Sequence, residues 1–389
     1  MTEMQCDVAI VGAAVAGGAL AAALRTSGLR TVIIEAQPKI PVINRGDQLA
    51  PPIVAYLDSI GLLPYFEARG AGRVHLWRAY GPEGELLAEV DLRDILKPPY
   101  DYIMTLPHPE IHGSFMDAAN DNDNVEVVRG ARVTDLIRND AGAVAGVVAK
   151  RGDTQIRINA TVVAGCDGLR SAVREMAGIS TDIQYYDEFP MITATRHPDQ
   201  GGDVNWEAWT PRGFLGVYPI SKKYVRCPVQ AESGELTRWR EIGFDHVKQE
   251  LAEKFPWFEK MQIIDEGLHV YKSSRHNANT YVADGTVLIG ESAHTTPPFY
   301  GFGMAMAIRD GREAAKQIAH CIGLGDVSAA ALKPYEDRVV DYNLWATSVS
   351  TMYRDVATGM FPSAGELQTA LHEKPALDPA IMSRLYGDW

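Results

Sequence analysis

The strongest constraint on this chain is a turn that leaves an apolar strand and enters a helix within six residues. Val8-Ala9-Ile10-Val11 runs straight into Gly12-Ala13-Ala14-Val15-Ala16-Gly17 and then into an Ala/Leu-rich stretch. The continuous apolar runs here and over Thr31–Glu35 fit parallel strands buried on both faces. Residues 6–11, a helix over about 17–27 and the strand Thr31–Glu35 therefore read as a β-α-β unit. Glycines at 12 and 17 let the backbone N–H groups of a helix start come close to a pyrophosphate. Glu35 closes the second strand, where a carboxylate can accept both ribose hydroxyls of an adenosine. The unit predicts a dinucleotide site.

Two later segments make the same demand. Gly165-Cys166-Asp167-Gly168-Leu169-Arg170-Ser171-Ala172-Val173-Arg174 follows an apolar strand at 161–165. Gly290-Glu291-Ser292-Ala293-His294 follows another at 286–289 and leads to Pro298 and Gly301-Phe302-Gly303. Each alone is weak, since a bare Asp-Gly is only a turn. In this order the three resemble the FAD-dependent aromatic hydroxylases, the p-hydroxybenzoate hydroxylase-like single-component flavoprotein monooxygenases. The resemblance spans about residues 6–354.

The resemblance implies a set of FAD-binding residues. Gly12, Ala14, Ala16, Gly17, Glu35 and Ala36 belong to the first motif, and Arg45 matches an arginine that covers the FAD phosphates. Asp167 and Gly168 match a motif on the flavin ribityl or pyrophosphate groups, with Arg170, Ser171 and Arg174 completing it. Glu291 stands where the family's aspartate meets the ribityl chain. Pro298 falls beside the isoalloxazine, and Gly301, Gly303 and Met304 at its pyrimidine edge. Four positions depart from the family pattern: Ala14 for a central glycine, His108 for a second arginine, Glu291 for aspartate and Ala305 for asparagine. They bear on flavin retention and on reduction by nicotinamide; the Ala14 methyl is expected to push the diphosphate outward or shift the loop. Asp310 retains the family's acid.

The reaction implied by the resemblance uses NADH or NADPH to reduce FAD and O₂ to form a flavin C4a-hydroperoxide. An electron-rich phenol or hydroxylated heterocycle then takes the distal oxygen. The stretch 206–219 resembles the strands of a substrate floor, with Tyr218 a phenol contact or proton relay, or else sheet packing. Phe299 and Tyr300 are expected as pocket walls next to Pro298. Arg78, His75, Tyr80, His197 and Arg196 could line the same cavity but read more readily as solvated or packed side chains, and His294 as structural rather than a metal ligand. Two alternatives remain open: the same architecture fed with externally reduced flavin, and a non-oxygenase flavin-binding oxidoreductase.

A formal charge of −13 argues against nucleic acid, which needs a clustered basic surface. The four cysteines, Cys6, Cys166, Cys227 and Cys321, have no metal-ligand spacing and read as unpaired buried thiols in a reducing cytosol. The amino-terminal segment has no basic-then-apolar leader pattern, and no apolar run reaches the roughly 18 residues of a membrane span. The expected fold is α/β. A Rossmann-like FAD-binding domain with a mostly parallel sheet takes residues 1–72, 101–180 and 281–325. An interleaved antiparallel substrate domain takes 73–100 and 181–280, and C-terminal helices take 326–389. The family resemblance also implies a homodimer. In detail, a single helix is expected over 48–63. Short antiparallel strands are expected at Val125–Arg129, Arg132–Arg138, 143–150 and 155–158, and helices near 244–255, 303–321 and 331–354.

Overall fold

The computed structural model describes residues 2–40, 47–81, 84–210, 213–231, 234–264 and 269–357. The chain divides into two compact units. The first comprises Met1–Val42, Pro109–Gln184 and Ser274–Ser348; the second comprises Ile43–His108, Tyr185–Ser273 and Val349–Trp389.

The first unit is built on an eight-stranded sheet whose middle strand is Thr2–Val11. This strand pairs in parallel with Thr154–Gly165 on one side and Thr31–Glu35 on the other. Val125–Arg129 and Thr286–Leu288 extend the parallel sheet outward. Val8, Ala9, Ile10, Ile33, Val162 and Val163 are fully buried, which is the two-sided burial that a parallel sheet requires. Arg132–Arg138 and Val144–Arg151 add an antiparallel extension along the outer half of Thr154–Gly165.

The helix Val15–Leu24 packs against the helix Phe302–Leu324 at unusually short range. A Cβ on Gly311 would lie 2.9 Å from Leu20 N, and one on Gly18 would lie 2.6 Å from Phe115 Cβ. Glycine at 311 lets backbone meet backbone there, and glycine at 18 lets the same helix close on the Phe115 side chain of the helix His108–Asn120.

Three details differ from the sequence expectation. Val125–Arg129 is parallel to Thr31–Glu35, not antiparallel, because the helix His108–Asn120 carries the chain back across the sheet before it. Residues 155–158 and 161–165 belong to one strand, Thr154–Gly165, since no Gly or Pro interrupts the ladder between them. Residues 48–63 are not one helix. Gln48–Leu49 pairs with Ile103–Thr105, and a helix begins only at Pro51–Ser59, where two prolines occupy the first turn that needs no N–H. Gly61, at φ +67°, closes it before Leu63–Ala68.

In the second unit a sheet runs in the order Gln184–Thr195, Tyr224–Pro228, Gly213–Pro219, Val204–Thr210, Leu76–Tyr80, Leu86–Asp91. All these pairs are antiparallel except Val204–Thr210 with Leu76–Tyr80. Strand alternation separates two faces. Ile192, Ala194, Ala208, Leu215, Val217, Val225 and Cys227 join the helices Glu235–Ile242 and Phe244–Lys254 in an apolar core with Trp239, Leu251 and Phe258. The residues between them, Thr193, Glu207, Gly216, Tyr218 and Arg226, fall on the opposite face.

Gly311→Val should cost about 1–3 kcal/mol by forcing the two helices apart. A urea titration should show a lower midpoint; an unchanged midpoint would show that the helices yield freely.

Candidate active site

The first motif is held by its own backbone. Gly12, at φ +103°, donates N–H to Ile34 O at 2.8 Å, and a Cβ there would stand 2.3 Å from Cys166 O. A Cβ on Gly17 would stand 1.9 Å from Gly12 O. Both glycines are thus required before any ligand is considered. Glu35 accepts Ala13 N–H at 2.8 Å on one carboxylate oxygen and Gln37 N–H at 2.7 Å on the other, so it fixes the loop and the half-buried Ala36 beside it.

Ala14 is exposed, with φ −68° and ψ −166°, an extended conformation that any residue adopts. The loop is therefore not shifted by the alanine; its methyl acts only on what approaches from outside. The helix Val15–Leu24 has no side-chain cap and no acidic residue in its first turn. Its amino end presents uncapped N–H groups and the positive end of the helix dipole.

The second motif is a capped turn. Asp167 accepts Ser171 Oγ–H at 2.5 Å, and its other oxygen accepts Ala172 and Val173 N–H at 2.7 and 3.1 Å. Its carboxylate thus serves its own loop. Arg174, buried, donates to Leu169 O at 2.8 Å and to Ser292 O at 2.7 Å, tying the second motif to the third. A Cβ on Gly168, at φ +84°, would come within 3.9 Å of Glu291 Oε2.

The third motif is pinned from below. Asp310, fully buried, accepts Gly290 N–H at 3.0 Å and His294 Nε2–H at 2.6 Å on one oxygen, and Asn343 Nδ2–H at 3.0 Å on the other. His294 is therefore placed by a carboxylate inside the fold. Burial lowers His276 to about 4, leaving it neutral, and its Nε2–H donates to Glu291 O at 3.0 Å. A Cβ on Gly290 would touch the buried Ala16 at 2.9 Å, which brings the first and third motifs together.

Beyond the third motif, Pro298 is half-buried and Phe299 buried. Gly301 (φ +66°) and Gly303 are exposed with nothing within 4 Å of their Cβ positions, and Met304 is half-buried. The helix Phe302–Leu324 again lacks a side-chain cap and a first-turn acid. Ala305 is buried. Arg45 and the side chain of Tyr300 lie outside the described residues.

The second unit gathers charges that sequence reasoning did not single out. Asp47 and Arg226 are both buried and pair at 2.8 Å; Asp47 also accepts His108 N–H at 2.8 Å. Burial pushes the Asp47 carboxyl up to about 6 even against the Arg226 guanidinium. Tyr218 lies over Gly216, where a Cβ would be 2.7 Å from its ring, and donates its O–H to the buried Glu207. Gly216 in Gly213-Phe214-Leu215-Gly216 is the sequence signal for that close approach; Asp47 and Arg226 lie 179 residues apart and carry none.

The five side chains read as solvated or packed are so engaged. Arg78 pairs with Glu89 at 2.6 Å, His75 meets Asp101 O at 3.0 Å, and Arg196 donates to Gly201 and Gly202 carbonyls. Tyr80 and His197 pack on Trp206. All four cysteines are free and buried, and among the described residues no helix is long and apolar enough to cross a membrane.

Residues 5–342 match the model of the FAD-binding domain family, so the chain belongs to that family. It is a flavoprotein oxidoreductase with monooxygenases and hydroxylases among its relatives. It is 28% identical to the 6-methylpretetramide 4-monooxygenase of Streptomyces rimosus, over 98% of this chain and 92% of that protein. It is 23% identical to the 3-demethoxyubiquinol 3-hydroxylase of Escherichia coli K12, over 93% of each. The fold is shared with the p-nitrophenol 4-monooxygenase PnpA of Pseudomonas putida DLL-E4, with a TM-score of 0.81, 20% identity, and coverage of 100% of this chain and 98% of that one.

Asp47→Asn leaves a buried guanidinium without its counter-charge and should cost about 3–5 kcal/mol at pH 7. Folded Asp47 holds its proton more tightly than the unfolded chain, so its contribution to stability falls as pH rises from about 4 to about 6. Melting curves across that range should lose this component in the variant; an identical slope in both proteins would contradict the assignment.

Proposed function

We propose that this chain is an FAD-dependent monooxygenase that hydroxylates a small aromatic or heteroaromatic ring of the phenol or hydroxypyridine type, with NADH or NADPH as electron donor and O₂ as oxidant. The observation that carries this reading is the meeting of the three motifs in one unit: Gly12 against Cys166, Arg174 on Ser292, and Gly290 against Ala16. The relatives' names, monooxygenase and hydroxylase, favour oxygen insertion over other flavin chemistry.

The residues fit the cofactor. The missing Cβ atoms at Gly12 and Gly17, with the uncapped amino end of Val15–Leu24, suit a diphosphate that must approach backbone closely. Glu35 has lone pairs beyond those facing Ala13 and Gln37, and in this reading it accepts the ribose hydroxyls. Glu291 accepts from the ribityl chain, while Asp167 acts through the loop that it caps. Pro298, Gly301, Gly303 and Met304 border the ring system. The N–H groups opening Phe302–Leu324 favour negative charge on its pyrimidine edge. Bound FAD supplies hydride acceptance and oxygen activation. The protein supplies orientation and the exclusion of water, with Phe299 as an apolar wall beside Pro298. Within the second unit, Tyr218 is the polar contact for a substrate ring.

The test follows NADH and NADPH oxidation by the FAD-loaded enzyme, with and without a panel of hydroxybenzoates, phenols and hydroxypyridines. Ring-stimulated oxidation and a product heavier by one oxygen atom are expected. Bound flavin that answers to neither nicotinamide would replace this reading with one that uses externally reduced flavin. Glu35→Ala, which removes charge-assisted hydrogen bonds, should weaken FAD binding by roughly tenfold to hundredfold in a flavin-fluorescence titration. Unchanged affinity would remove Glu35 from the site.

A further inference from the structure

We infer that Glu207 is a positioning residue that fixes the hydrogen-bonding sense of Tyr218, so that this phenol meets a substrate only as an acceptor and selects rings bearing a donor, an O–H or N–H. The inference rests on the reading above, in which Tyr218 contacts the substrate ring.

Glu207 is buried at 5% exposure, and its partners are neutral. Tyr218 O–H donates to Oε1 at 2.5 Å. Tyr353 O–H and Trp209 Nε1–H donate to Oε2 at 2.7 and 3.2 Å. Trp209 and Tyr353 also pack edge to face at 5.4 Å, which fixes both rings. An indole N–H can only donate, and a phenol carries a single hydrogen. This donor set fits the ionised carboxylate, because a protonated Glu207 would have to aim its own hydrogen at a phenol oxygen and reverse one of the two tyrosines. With its hydrogen committed to Oε1, Tyr218 offers a substrate only lone pairs. A ring bearing an ether oxygen at that point sets lone pair against lone pair, whereas a phenol completes a bond.

Glu207→Gln turns this into a test. Trp209, which can only donate, keeps the amide oxygen at the Oε2 position and so places the amide NH₂ opposite Tyr218. Tyr218 must then accept from the amide, and its hydrogen is released for donation. Two measurements read the change. The first is the infrared C–O stretch of ring-labelled tyrosine, with the Tyr218 band assigned by its loss in Tyr218→Phe; it needs no substrate. The second is the preference for phenol over its methyl ether, anisole, read as the ratio of their dissociation constants by calorimetry.

In the wild type the Tyr218 band should mark a donating phenol, and it should move in Glu207→Gln. The preference for phenol should fall by roughly tenfold or more, as expected for one buried hydrogen bond. Glu207→Asp, which keeps a carboxylate, should keep the preference. A wild-type band typical of an accepting phenol, or a band unmoved in Glu207→Gln, overturns the inference whatever the substrates do. A band that moves while the phenol preference stays the same also overturns it, and leaves the monooxygenase reading intact. That reading fails separately, if no ring stimulates nicotinamide oxidation.

Discussion

The first unit depends on the absence of one carbon atom. At Gly12 the chain turns out of the central strand with its Cα against the Cys166 carbonyl, and a Cβ would overlap that oxygen at 2.3 Å. This contact joins the ends of two neighbouring parallel strands, Thr2–Val11 and Thr154–Gly165, so the first two motifs emerge side by side. The same economy of side chains recurs at Gly17 and Gly311, where backbone meets backbone, and at Gly290, where the third motif closes on the Ala16 and Ala307 methyls of the two helices. Strand ends and helix starts brought this close leave amide N–H groups aimed outward, and those groups are what a diphosphate needs.

Below these loops the structure relies on buried polar groups that bridge separate segments. Asp310 takes three donors, and Arg174 reaches two carbonyls from different segments. Their work is to hold loops in place, and unpaired partners would be costly in so dry an environment. Asp167 belongs with them: a residue that reads as a cofactor ligand by resemblance is engaged in capping its own turn.

The second unit buries two carboxylates and satisfies them by opposite means. Asp47 has a guanidinium at 2.8 Å; Glu207 has two phenols and one indole. Burial raises both pKa values, but the partners differ in consequence. A cation compensates charge, whereas neutral donors fix the direction of each hydrogen bond around them. The alternation of Val204–Thr210 and Gly213–Pro219 puts Glu207 and Tyr218 on one face and the apolar core on the other.

The sequence by itself determined the β-α-β unit, most of the parallel strands and the three motif loops, because glycine spacing and continuous apolar runs are local signals that one window of residues carries. Thr31–Glu35 and Arg132–Arg138 could be read to the residue for that reason. Tertiary structure alone decided that Val125–Arg129 is a parallel strand and that 48–63 breaks at its prolines. It also decided that Ala14 sits without strain. The pairings of Asp47 with Arg226 and of Glu207 with Tyr353 were likewise invisible in the chain, since they join positions 179 and 146 residues apart. A buried carboxylate looks like any exposed one in a sequence. Only packing removes its water, and only the fold chooses which donors replace it.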